Sequence, residues 1–128
     1  MKQLLRLAAE HEAAHVVVAA CSGATVHRVW VTTRGEGRTI HSGAETAAHN
    51  AVITAAGDVW NRRLGTVPYR DLACIDLKTF EREHGLSRLW LAGKMAQKIL
   101  IEHRQLVLDL ADRLAKERIV VFQDRAAA

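Results

Sequence analysis

From Lys2 to Ala20, Leu4, Leu5, Ala8, Ala9, Glu12, His15, Val16 and Ala19 recur at spacings of three and four. That period predicts a helix. Its inward face carries Glu12 and His15 among apolar neighbours. Cys21-Ser22-Gly23 ends the segment, and Gly23 suits a left-handed cap. Thr25 to Thr33 alternates instead. Val26, Arg28, Trp30 and Thr32 share one face; Thr25, His27, Val29, Val31 and Thr33 share the other. The β-branched content predicts a strand. Arg34-Gly35-Glu36-Gly37 reads as a turn, and Arg38 to His41 as a short returning strand.

The helical period then resumes. About Ala44 to Arg63 reads as a second helix, with Ala47, Ala48, Ala51, Val52, Ala55, Val59 and Trp60 as its apolar stripe. Gly65 to Tyr69 is a loop containing Pro68, the only proline. Asp71 to about Glu83 reads as a third helix, with Leu72, Ile75 and Phe80 near one face and His84-Gly85 at its end. Ser87 is the expected N-cap of a last and longest helix. In it Leu89, Ala92, Ala96, Ile99, Leu100, His103, Leu106, Val107, Leu110 and Leu114 keep one period. Ile119-Val120-Val121-Phe122 reads as a small apolar clamp. The expected fold is mainly α with a small β-hairpin or sheet (α+β), as one domain over residues 1–128.

Composition narrows the class. The 128 residues suit one compact domain, and 49% apolar with 25% charged residues suits a globular chain with a core. The net charge is +4 and the pI about 9.5. Basic residues are interleaved with acids, and Arg62-Arg63 is the only adjacent basic pair. This describes a solvated surface, so no nucleic-acid partner is expected. No stretch reaches the roughly 20 apolar residues of a membrane span. The N-terminus lacks a signal-like apolar region. A cytoplasmic protein with no membrane partner is expected. Cys21 and Cys74 form no CxxC motif and read as buried free thiols. Trp30, Trp60 and Trp90 read as core or interface aromatics.

The chemistry concentrates in His11-Glu12-Ala13-Ala14-His15. Two histidines four apart on a helix lie one turn apart on one face. They can converge on a zinc ion at about 2.0–2.1 Å each. The glutamate after the first histidine is placed to take a proton from a metal-activated water, whose pKa zinc can lower to about 7. A catalytic zinc usually has three protein ligands. His27, His41, His49, His84, His103 and acids near a helix start are candidates for the third. No Gly-x-x-His extension follows His15, which argues against the metzincin pattern. The arrangement is that of a zincin-like HExxH helix packed in a helical bundle. His41 or Tyr69 could reach the oxyanion, although surface or hydrogen-bonded roles suit both better. The Val26 to Thr33 strand could offer an edge on which an extended peptide adds.

Glu10 to Ala19, followed by Val26-His27-Arg28-Val29-Trp30-Val31-Thr32-Thr33-Arg34-Gly35, resembles the peptidase domain of the FtsH family. That family has an HEAGH-type helix, a V-x-K-V-type strand and an R-G turn. Ala55-Ala56-Gly57 resembles its Gly-Gly-Arg-like motif, and Asp71-Leu72 the segment that carries its third ligand. The resemblance implies that His11 and His15 bind zinc, that Glu12 is the base and that Asp71 is the third ligand, with Asp76 the alternative. Ala14 replaces the family's usual glycine, and Asn61 stands where it usually has a glutamate. The chain has no Gly-x-x-x-x-Gly-Lys-Ser/Thr loop and looks like a short stand-alone relative lacking the ATPase module, so ATP dependence is not expected.

These readings lead to a zinc metalloendopeptidase acting on proteins or unfolded segments. The alternative is a catalytically silent, zinc-containing interaction protein that keeps the peptidase fold. A homo-oligomer through the helical C-terminal region is compatible with either.

Overall fold

The computed structural model describes residues 2–44, 46–68 and 73–122, without the side chains of residues 73–77, 79 and 86. In chain order they form α1 (Lys2–Cys21), β1 (Thr25–Val31), β2 (Gly37–Ser42), α2 (Ala47–Val59), a π turn (Trp60–Leu64), α3 (Ala73–His84), a 3-10 turn (Leu86–Arg88), α4 (Leu89–Glu102), α5 (Arg104–Glu117) and β3 (Ile119–Val121). The architecture is mainly helical with a small antiparallel sheet, as the alternation of 3.6- and 2-residue periods predicts.

α1 is the axis of the molecule. It packs against α2, α4, α5, β1 and β2. Every residue from Leu7 to Ala19 is buried except the half-buried His11 and His15. The sequence predicts an amphipathic helix with one inward face. The alanines at 8, 9, 13, 14 and 19 instead let neighbours close in on all sides. Gly23 takes the expected left-handed conformation at φ 79°. The adjacent Cys21 thiol is exposed rather than buried. Trp60 is fully buried, whereas Trp90 is 70% exposed.

The sheet order is β2-β1-β3. β1 pairs with β2 through Val29↔Thr39 and Val31↔Gly37, with an irregularity between Val26 and Arg28. On its other side Val29 pairs with Val120 and Trp30 with Ile119. The apolar clamp near the C-terminus is therefore a third strand. β1 is central and β2 is an edge, which reverses the expectation that the Val26 to Thr33 strand offers the free edge. Val29 and Val31 are buried and turn toward the helical core.

Two helical expectations change. The second helix gives way at Trp60 to a π turn, in which the Gly65 N–H donates to the Trp60 carbonyl at 2.7 Å. The last helix is two. His103 leaves helical geometry at φ −116° and ψ 25°, so α4 packs on α2 and α5 on α1. Ser87 does not cap it: the residue before α4 is Arg88, and no side chain caps that end.

Candidate metal centre

The half-buried His11 and His15 project from α1 toward α2. His15 Nδ1 lies 2.7 Å from the Ile53 carbonyl oxygen. A carbonyl only accepts, so Nδ1 carries the proton and Nε2 a lone pair. His11 Nδ1 lies 2.5 Å from Asn61 Oδ1, which fixes the same tautomer. The two Nε2 atoms are 3.2 Å apart. Each lying 2.0–2.1 Å from a shared zinc ion, nitrogens at that spacing would subtend roughly 100°, close to tetrahedral.

Gly57 of α2 makes room in front of them. A Cβ built there would fall 2.6 Å from His15 Nε2 and closer still to His11 Nε2. A helical interior has little other use for glycine. Both the donor chemistry and this cradle therefore fit a metal ion. Among the described residues, no group of three or more His, Cys, Asp and Glu side chains could hold one. Asp71 lies outside the described residues. Asp76 belongs to α3, but its side chain lies outside them as well.

Glu12 is 7% exposed and lies against β2. Thr39 Oγ1 donates to its Oε1 at 2.9 Å and to its backbone carbonyl at 3.3 Å. Gly37 permits this approach, since a Cβ there would come within 2.7 Å of Glu12 Cγ. Two clefts of about 410 Å³ each open beside this carboxylate. One is lined by His15, residues 37–41, Ile53, Thr54 and Glu83, the other by Leu7, Trp30, Arg34 to Gly37 and Asn61; both share His11, Glu12, Gly37 and Arg38.

His41 lines the first cleft. Its Nδ1 is buried and makes no hydrogen bond among the described residues. Burial, aided by the neighbouring His15 and His27 and opposed by Glu83, pushes its pKa below the ordinary imidazole range. His27 Nε2 lies 2.7 Å from Ser42 Oγ, and His84 Nε2 3.0 Å from Thr54 Oγ1. Tyr69 lies outside the described residues.

Sequence reasoning did not single out Glu10. It is 1% exposed, the most deeply buried charged group described. Oε1 accepts from Trp60 Nε1 at 2.8 Å and from the Thr66 N–H at 2.9 Å. Oε2 accepts from Arg6 Nε at 2.7 Å and from the Thr66 hydroxyl. An acid two residues before Glu12, directly after the apolar Leu7-Ala8-Ala9, was the available signal.

Residues 4–65 match the family model described as Peptidase M50B-like. The match covers α1, the β1-β2 hairpin, α2 and the π turn, and supports a metallopeptidase-type domain. This family is distinct from FtsH, so the match does not extend to the specifically FtsH-type features. No curated protein matches the chain. Among the described residues, no helix is long and apolar enough to cross a membrane.

Proposed function

We propose that the chain is a zinc metallopeptidase that hydrolyses peptide bonds in extended or unfolded protein segments. The observation that carries this is the convergence of His11 Nε2 and His15 Nε2 at 3.2 Å, in front of a glycine and beside a buried carboxylate. His11 and His15 are the metal ligands. Asp71 is the proposed third, with Asp76 the alternative from the same segment. A zinc ion held there would activate a water molecule and polarise the scissile carbonyl.

The chain's own groups supply the rest. Glu12 takes the proton from the attacking water and returns it to the leaving amine, as a general base and then a general acid. Thr39 fixes Glu12 by binding Oε1, while Glu12 itself fronts both clefts. β2 borders both clefts and has no strand on its outer side among the described residues. An extended peptide laid along it would cross the Glu12 carboxylate and bind through main-chain hydrogen bonds, with little sequence preference. A cytoplasmic location remains part of this proposal.

Metal analysis and chelation test it. The purified protein should carry about one zinc per chain, His15→Ala should lose it, and chelators should stop cleavage of an unfolded test protein until zinc is restored. Cleavage that persists in metal-free protein would overturn the proposal.

A further inference from the structure

The fold holds the two imidazoles by different means. His15 donates to the main-chain carbonyl of Ile53, which no substitution removes. His11 donates to the side chain of Asn61, 50 positions away. Asn61 in turn sits in the π turn, whose wider ladder displaces side chains from the faces a continuing α-helix would give them. Glu10 pins that turn at both sides. It holds Trp60, the residue before Asn61, and Thr66, just beyond the turn. Because Glu10 immediately precedes His11, the buried carboxylate ties the π turn to the stretch of α1 that bears the imidazole.

We infer that Asn61, anchored through Glu10, is the positioning residue that fixes the His11 tautomer and turns its Nε2 lone pair toward His15 Nε2. The inference rests on the zinc reading of the histidine pair. Metal-binding histidines commonly donate their second nitrogen to a carboxylate, a backbone carbonyl or a water, and loss of that partner typically weakens metal binding. The acceptor here is a neutral amide. It orients the ring while drawing less proton density from Nδ1 than a carboxylate would, so His11 is a weaker donor to metal than it would be beside an aspartate.

Nitrogen-15 NMR of the imidazoles in zinc-free protein at mildly alkaline pH, with chelator-competition zinc titrations, tests this. In the unsubstituted protein His11 and His15 should both show a protonated Nδ1. Asn61→Leu keeps the volume and removes the acceptor. It should move His11 to a mixture of tautomers, leave His15 unchanged as the internal control, and weaken zinc binding roughly 10–100-fold. Asn61→Asp should keep the His11 tautomer and bind zinc at least as tightly as asparagine does. An unchanged His11 tautomer and zinc affinity in folded Asn61→Leu would overturn the inference, as would a folded Asn61→Asp that loses zinc. A His11 tautomer that depends on residue 61 in a protein that binds no zinc would support the positioning role and defeat the zinc reading.

Discussion

At the scale of single residues, Gly57 shows how much of the site depends on an atom that is missing. Glycine inside a helix costs about 1 kcal/mol relative to alanine, yet here a methyl group would occupy the point faced by both Nε2 atoms. Gly57→Ala should therefore gain helix propensity but displace the two hydrogen-bonded imidazoles, leaving thermal stability little changed or lower, while zinc titration shows affinity falling by at least roughly 100-fold, about 2.7 kcal/mol. Wild-type zinc affinity in that variant would mean that the ion does not lie between the imidazoles. His11, Glu12 and His15 were legible from the sequence because their spacing alone puts them on neighbouring positions of one helix. Asn61 and Glu10 were not, because their roles depend on contacts 50 and 56 positions distant.

Elements decide what reaches that pair. The β1-β2 hairpin was legible from alternation, but which strand is the edge was not. That depends on β3, only three residues long, arriving from the far end of the chain. Arg118, in the left-handed region at φ 68°, turns the chain from α5 into it. The break at His103 was hidden for a related reason. Ala92, Ala96, Leu100, Val107, Ala111 and Leu114 are buried at helical spacings on both sides of it, so the apolar stripe runs through the bend without a signal. With β2 as the docking edge, alternate backbone N–H groups of a bound peptide face the strand. N-methylation of a substrate should raise KM about tenfold or more at every second position near the cleaved bond and have little effect between them. Uniform tolerance of N-methylation would count against strand addition.

For the molecule as a whole, the sequence pattern revealed the class of fold but not its centre. α1 packs against three helices and both hairpin strands, so the segment proposed to carry the chemistry is also the core. Glu10 is the electrostatic counterpart of that burial. Burial alone would raise its carboxyl, but hydrogen bonds from Thr66, Trp60 and Arg6 outweigh it and hold the pKa below the ordinary range. The unfolded chain therefore takes up the proton more readily than the folded one. The resulting stability is complete above about pH 4.5, the unfolded value, and is lost as the pH falls through the lower folded value. Glu10→Gln should lower unfolding stability by roughly 2–3 kcal/mol near neutrality and flatten its fall in acid. Urea unfolding of both proteins between about pH 3 and 7 measures this, and parallel pH profiles would refute it.

The roles proposed for His11, Glu12 and His15 meet their most direct test in turnover of an unfolded protein by zinc-loaded Glu12→Gln, with zinc content measured on the same sample. Loss of nearly all cleavage with about one zinc still bound per chain is the expected result. Cleavage at the unsubstituted rate by the zinc-loaded variant would contradict it.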